Sequence, residues 1–248
     1  MKLILSLALI GSLLGSAQAD ASFTRYPTRD IRLAGHSSNE NSNGGGSANL
    51  MLRQLSSSNP GAAIIDFDRS ALAEFLEQTQ GWILEARLVL ICRQVQFADD
   101  PIPIEVACVD SATDWVEGSS NLDGEAPAGV GCYRQAQYKV ADWSFPGGGS
   151  AAHFRDLFWD STAGAPRGIA NRGIGYANYG DENNQPVEIR LDRELLEHLA
   201  TSEFCRGLVL YTQSAGVVGF YSREQNPASR RPQLIIDAVS QPTVIKLR

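Results

Sequence analysis

Short apolar runs recur along the chain between turn-forming residues, a pattern typical of the strands of a β-sandwich or β-barrel. The run VEIRL at residues 187–191 alternates, so we expect its apolar side chains in the core and Glu188 and Arg190 in solvent. The run ARLVLIC at residues 86–92 is apolar enough for a central strand. The remaining predicted strands cover residues 49–55, 62–67, 104–109, 207–211, 217–221 and 234–239.

Two segments instead repeat apolar residues at the helical spacing of three or four. In residues 70–80 this spacing joins Leu72, Phe75 and Leu76, with Ser70 as the predicted N-cap. Asp192 is predicted to cap a second helix that carries three leucines. The pattern therefore predicts an all-β sandwich in which two short helices cover an open end.

Two stretches lack a strand or helix pattern. Residues 37–47 (SSNENSNGGGS) are polar, and residues 111–185 are rich in glycine, proline and aromatic residues. An irregular stretch as long as the second is usually functional or contains strands that the pattern does not reveal. No linker and no internal repeat divides the chain, which predicts a single domain over residues 20–248.

The N-terminus has the three parts of a secretory signal peptide. Lys2 supplies a positive start, residues 3–14 form an apolar run, and Ala17-Gln18-Ala19 provides the small residues for cleavage. The apolar run is shorter than the roughly 20 residues that a transmembrane helix requires. We therefore predict removal of residues 1–19, before Asp20, and a secreted or periplasmic product.

Charge and composition narrow the choice of partners. The formal net charge is −7 and no basic stretch is present, which argues against a nucleic acid partner. An acidic surface disfavours binding to anionic membranes, and no later apolar run is long enough for membrane insertion. The sequence leaves the oligomeric state open.

The chain contains four cysteines, and an exported protein with an even number usually pairs them. Because Cys92 and Cys108 lie in neighbouring apolar runs, we expect the disulfides Cys92–Cys108 and Cys132–Cys205. A zinc site is the alternative. The sequence has no C-x₂-C unit and its three histidines are scattered, which favours the disulfides.

Sequence motifs of common enzymes are absent: there is neither a G-x-S-x-G elbow nor an H-E-x-x-H motif. Carboxylate pairs of the kind that glycosidases use are present, but turns and edge strands carry such pairs as well. We therefore expect a non-catalytic protein with no cofactor. Oxygen ligands for a structural calcium ion occur at residues 39–41 and 181–184, in neither case in EF-hand order. The carboxylate pairs are Asp66/Asp68, Asp99/Asp100 and Asp181/Glu182.

Aromatic residues are concentrated in the irregular stretch at residues 111–185. An exposed ring can stack on the apolar face of a sugar, whereas a buried ring packs in a core beneath the loop. We expect one or two exposed platforms at most. The aromatic residues are Trp115, Tyr133, Tyr138, Trp143, Phe145, Phe154, Phe158, Trp159, Tyr176 and Tyr179.

Five short segments follow one another in the order that a known domain family shows. They are DIRL at residues 30–33, AIIDFD at 63–68, ILEARLVL at 83–90, TDWVEG at 113–118, and FYSRE at 220–224 followed by PQLII at 232–236. These segments resemble the DNRLRE domain family, which is close to carbohydrate-binding module family 96 of secreted bacterial proteins, and the resemblance covers most of residues 20–248. Residues 191–193 depart from the family's D-v-T element, and Tyr133 stands where the family tends to carry tryptophan.

This resemblance implies a jelly-roll-like β-sandwich that binds an extracellular polysaccharide such as alginate. Because arginine recognises carboxylates, Arg32 and Arg53 on the matching strands are candidate ligand-binding residues. Adjacent Arg223 and Glu224 are better explained as a structural ion pair. Two other functions stay open, namely a structural or adhesion module of the cell envelope that binds proteins, and a polysaccharide hydrolase or lyase that uses the carboxylates or His153. The aromatic candidates for the binding face are Trp115, Tyr133 and Trp143.

Overall fold

The computed structural model describes residues 21–55, 57–80, 82–96, 101–160, 162–163, 165–167, 173–178, 180–181 and 184–239. The predicted signal peptide lies outside these residues. Within them, no helix has the length and apolar character needed to cross a bilayer.

Most of the regular secondary structure of the described chain is β-strand, with two α-helices, α1 (Arg69–Gln78) and α2 (Arg193–Thr201), and two short 3₁₀ turns. The strands are β1 (Ala21–Arg25), β2 (Arg29–Ala34), β3 (Asn49–Arg53), β4 (Gly61–Asp66), β5 (Ile83–Gln96), β6 (Ile102–Asp110), β7 (Trp159–Asp160), β8 (Ala165–Pro166), β9 (Gly173–Ala177), β10 (Pro186–Arg190), β11 (Cys205–Tyr211), β12 (Val217–Tyr221) and β13 (Gln233–Ala238).

Eight strands close into an antiparallel barrel in the order β5-β10-β9-β6-β11-β4-β3-β12, with β12 returning to β5. β13 and β1 extend the sheet beyond β5, and β2 pairs with β4. The expectation of an all-β fold is confirmed, but the jelly-roll-like sandwich is wrong. The physical reason is β5, whose 14 residues pair with β13 over the first half and with β12 over the second, so that the sheet closes on itself.

The barrel interior is the main hydrophobic core. It contains the inward-facing residues of each barrel strand, and the alternation predicted for VEIRL is observed, with Val187 and Ile189 buried and Glu188 and Arg190 exposed. Both predicted helices are present and pack on each other, with α2 also against β6 and β11. Helix α1 begins two residues earlier than expected, because the Asp68 carboxylate accepts the Ala71 backbone N–H at 3.0 Å.

A second core lies on the outer side of the barrel, beneath the irregular stretch. There, the outward-facing side chains of β2, β4, β6 and β11 pack against the aromatic side chains found between positions 115 and 159. This explains why every residue of β4 is buried, since one face of that strand meets each core. The irregular stretch also contains strands that the pattern did not reveal, including β9.

The four cysteines are free thiols, all of them buried. The prediction of the disulfides Cys92–Cys108 and Cys132–Cys205 is therefore wrong, because no two sulfur atoms lie at bonding distance. The positions of the cysteines explain the error. Cys92 and Cys108 lie on β5 and β6, which are separated by β10 and β9. Cys205 lies in the barrel interior, whereas Cys132 belongs to a separate small cluster.

Candidate functional site

The two arginines selected from the sequence lie together on the outside of the barrel. Arg32 is on β2 and Arg53 is on β3, on strands that both pair with β4. Their guanidinium groups contact the same sulfur atom, that of Met51, with Nη2–Sδ distances of 3.4 Å for Arg32 and 3.7 Å for Arg53. The fold thus brings two like charges to one place.

These charges have no counter-ion in the part of the chain that the structure describes. Both guanidinium groups contact Met51, and the Nε atom of Arg53 is buried without a hydrogen-bond partner. Burial, together with the charge of Arg53, lowers the pKa of Arg32 to about 10. A lowered pKa means that the site disfavours the second positive charge. The arrangement is therefore suited to an anion that neutralises both groups.

Polar side chains continue from this pair across the neighbouring strands. The buried Leu50 and Leu52 alternate with the half-buried residues of β3, so the latter point away from the barrel interior. On the next strands, Gly219 of β12 lies opposite Gln94 of β5, and a Cβ atom at Gly219 would come no closer than 3.6 Å to its nearest neighbour, the Gln94 side chain. We call this surface the arginine face; it comprises Arg32, Asn49, Met51, Arg53, Gln94, Gln96 and Gly219.

A bulge in β5 adds one more cation beside this face. Gly219 pairs with Gln94 whereas Phe220 pairs with Cys92, so Arg93 is the extra residue. Arg93 is exposed. The sequence offered no indication of this residue, because the bulge depends on the register between β5 and β12.

The three aromatic residues chosen from the sequence do not form a binding surface. Trp115, Tyr133 and Trp143 are 1%, 2% and 0% exposed and belong to the second core. The indole N–H of Trp115 donates to the Arg206 carbonyl at 2.7 Å, and that of Trp143 to the Cys132 carbonyl at 3.0 Å. The structure therefore places all three rings in a core and not on the surface, and their role in ligand binding stays a prediction.

Exposed aromatic rings occur elsewhere. Tyr176 on β9 is 55% exposed and Trp82, just before β5, is 60% exposed. In β9 the exposed residues Ile174 and Tyr176 alternate with buried ones, so both lie on the outer barrel surface. The same alternation is present in the sequence GIGYA, but it is hard to recognise because glycines, and not large apolar residues, occupy two of the inward-facing positions. Tyr179 lies outside the described residues.

The carboxylates considered for acid–base chemistry have structural roles where the structure describes them. Asp66 forms ion pairs with Arg29 at 2.9 Å and Arg69 at 3.0 Å, and Asp68 caps α1. Asp181 accepts the Asn178 backbone N–H at 2.6 Å. Asp99, Asp100 and Glu182 lie outside the described residues, as does part of the second calcium candidate at residues 181–184.

A polar groove of about 610 Å³ is lined mainly by residues of the irregular stretch, and its lining includes neither Arg32 nor Arg53. It contains His153 and Tyr138, the combination that would favour a polysaccharide-degrading enzyme. However, the Tyr138 hydroxyl donates to Glu125, and this hydrogen bond raises the pKa of Tyr138 to about 12. A phenol with so high a pKa is a poor general base near neutral pH. The groove is lined by Asn41, Arg134, Gln135, Tyr138, Lys139, Asp142, residues 150–152 and His153.

The cations of this groove, unlike those of the arginine face, are already neutralised. Arg134 pairs with Glu40 at 3.2 Å and Lys139 with Glu125 at 3.2 Å. The groove is therefore a weaker candidate for binding an acidic ligand.

Comparison with known proteins adds no assignment. No family model matches the chain, and a search of curated proteins returns no significant match. The resemblance to the DNRLRE domain family and to carbohydrate-binding module family 96 stays a prediction.

Proposed function

We propose that the protein binds a polysaccharide that carries carboxylate groups, without catalysing its breakdown, and that the arginine face is the binding surface. The observation that carries this proposal is the pair of guanidinium groups of Arg32 and Arg53, which share a half-buried position and have no carboxylate partner among the described residues. A guanidinium group binds a carboxylate through two parallel hydrogen bonds. One uronate carboxylate would thus offset the repulsion between the two cations.

The surface around the arginines supports a sugar chain as the ligand. Amide side chains of Asn49, Gln94 and Gln96 offer both donors and acceptors for hydroxyl groups. The lack of a side chain at Gly219 keeps the middle of the surface low. These features suit an extended, hydroxyl-rich chain better than a protein partner, which would need exposed apolar anchors.

Retardation in affinity gels tests the proposal. We expect the protein to be retarded by alginate or polygalacturonate, and not by a neutral β-glucan. Arg32→Gln and Arg53→Gln should each remove most of the retardation. Arg190→Gln is the matched control, because Arg190 is an arginine on the outer barrel surface whose side chain is 86% exposed and whose ion pair with Glu85 is long, at 3.7 Å. Equal retardation of Arg53→Gln and Arg190→Gln, or no retardation by either uronate, would refute the proposal.

A second assay separates binding from degradation. The same mixtures are examined for new reducing ends and for the absorbance of unsaturated uronate. We expect no product with the wild-type protein. Product that disappears in His153→Ala but persists in Arg53→Gln would assign the function to the polar groove and contradict a non-catalytic role.

A further inference from the structure

Cys108 and Cys205 face each other although 97 residues separate them along the chain, and the cause is a bulge between β6 and β11. Leu208 pairs with Cys108 whereas Cys205 pairs with Asp110, so β11 contains one extra residue between these pairs. Gly207 lies in this bulge with φ +125°, a conformation that side chains with a Cβ rarely adopt. The bulge directs both thiols into the barrel interior, where both cysteines are fully buried.

Helix α2 brings an imidazole to the same place. Three leucines of α2 are buried in the main core, which fixes the helix against the end of the barrel. His198 of this helix contributes a ring nitrogen that, with the sulfur atoms of Cys108 and Cys205, forms a group whose ligand atoms all lie within 4.8 Å of one another. Among the described residues, this is the single group of three His, Cys, Asp or Glu side chains that is close enough to hold a metal ion.

We propose that Cys108, Cys205 and His198 bind a zinc ion. Thiolate sulfur and imidazole nitrogen are the ligands that Zn²⁺ prefers, and in a tetrahedral site they lie about 3.5–3.8 Å apart. The observed group needs only a small contraction to reach that geometry. Two cysteines and one histidine leave one coordination position, which a carboxylate or a water molecule can occupy.

Asp110 lies outside this group of three ligand atoms and contacts it through His198. Its Oδ1 atom lies 2.7 Å from Nε2 of His198, and Asp110 stands directly opposite Cys205 in the strand register. From there, the carboxylate orients the imidazole ring, as carboxylate–histidine pairs do in many zinc sites. Both side chains are partly exposed, 39% for His198 and 26% for Asp110, so the ion can enter from solvent. Once bound, it would join α2 to β6 and β11.

Zinc uptake by the reduced full chain tests this assignment. After removal of bound metal, Zn²⁺ is added and the stoichiometry is measured by native mass spectrometry; Co²⁺ provides the thiolate-to-metal absorption and the band intensity of a tetrahedral site. We expect one ion per chain and a higher midpoint of thermal unfolding with zinc. Cys108→Ser and Cys205→Ser should lose binding, and Asp110→Asn should weaken it about 10- to 100-fold.

His198→Gln guards against misfolding as the cause, because His198 is partly exposed and its replacement leaves both buried thiols in place. This variant should keep the unfolding midpoint of the zinc-free chain but lose the increase that zinc produces. Cys132→Ser is the control for a buried thiol outside the group and should bind zinc like the wild type. The proposal is overturned if the reduced wild-type chain takes up no zinc, whether or not Cys108 and Cys205 formed a disulfide before reduction. It is also overturned if His198→Gln binds zinc as tightly as Cys132→Ser.

Discussion

Arg223 and Glu117 form a two-point ion pair, with Nε–Oε1 at 2.7 Å and Nη2–Oε2 at 2.8 Å. The same Glu117 carboxylate accepts the backbone N–H of Asp30 at 2.8 Å. One side chain therefore connects β2, the irregular stretch and the segment that follows β12. The sequence indicated a structural ion pair for Arg223, and this is confirmed, although Glu117 is the better-aligned partner and Glu224 contributes a single contact at 3.2 Å.

Glu117→Gln should therefore lower the free energy of unfolding by about 2 kcal/mol, because it removes charge-assisted hydrogen bonds at a partly buried position and leaves Arg223, which is 34% exposed, with its single contact to Glu224. The Glu117 side chain is 15% exposed. Urea denaturation measures the loss. Glu197→Gln is the control: the Arg193–Glu197 pair has the same 2.7 Å contact but is 56% and 46% exposed, so its loss should cost less than about 0.5 kcal/mol. Equal losses of unfolding free energy in the two variants would contradict the conclusion that Glu117 stabilises the fold by connecting these segments.

Sequence reasoning located most of the barrel strands and both helices because each depends on local periodicity. The closure of the sheet was not predicted, because it depends on pairing between strands that are distant in the sequence. One end of β5 pairs with β13 and the other end pairs with β12. The apolar run at residues 62–67 predicted a strand, but it did not predict that both faces of β4 are buried. What covers its outer face, a layer of loop aromatics, became evident only from the structure.

In the candidate site as well, the sequence indicates individual residues but not which of them the fold brings together. Arg32 and Arg53 were selected because arginine recognises carboxylates, and their proximity followed from strand pairing that the sequence does not display. The burial of the aromatic candidates could not be predicted, because a ring that stacks on sugar and a ring that fills a core look the same in a sequence. The thiol–imidazole group was missed because Cys108 lies 90 residues before His198 and 97 before Cys205, and because a bulge in β11 brings the two thiols together.

The core position of Trp143 predicts a large effect on stability. Trp143→Ala removes a fully buried indole that contacts Phe154 with ring centroids 5.1 Å apart, so it should cost about 3–5 kcal/mol of unfolding free energy. Trp82→Ala, at a ring that is 60% exposed, should change it by less than about 0.5 kcal/mol. Denaturation curves of both variants provide the measurement, and similar small changes would restore Trp143 as a candidate binding residue.

The arginine face predicts a conflict between stability and function. Because burial and Arg53 lower the pKa of Arg32 to about 10, the charged form that predominates near neutral pH is disfavoured in the folded state. Arg32→Met should therefore raise the unfolding free energy by about 1 kcal/mol at low ionic strength, while uronate binding is lost. Added salt should reduce this gain by screening the two charges. A clear loss of stability at low salt would show that the Arg32 charge has a partner that stabilises the fold.

Asp30 predicts a distinctive dependence of stability on pH. Burial, and to a smaller extent the neighbouring Glu117 charge, raises the pKa of Asp30 to about 7 from an ordinary value of 3.8, although the Arg223 backbone N–H donates to its Oδ2 atom at 2.7 Å. Its Oδ1 atom is buried without a partner. Between these two pKa values the folded state binds more protons than the unfolded state, so this carboxyl lowers stability as pH rises from about 4 to 7.

Asp30→Asn removes that titration while keeping the shape of the side chain and an oxygen that accepts the Arg223 N–H. The variant should match the wild type near pH 4.5 and exceed it near pH 8, by more than the about 1.4 kcal/mol that corresponds to one pKa unit. Asp114→Asn should show the opposite trend, because hydrogen bonds and the charge of Arg29 outweigh burial and lower the Asp114 pKa, so its advantage over asparagine is lost as pH falls. Urea denaturation at several pH values tests both. A difference between Asp30→Asn and the wild type that stays constant from pH 4.5 to 8 would show that the Asp30 carboxyl does not titrate in this range.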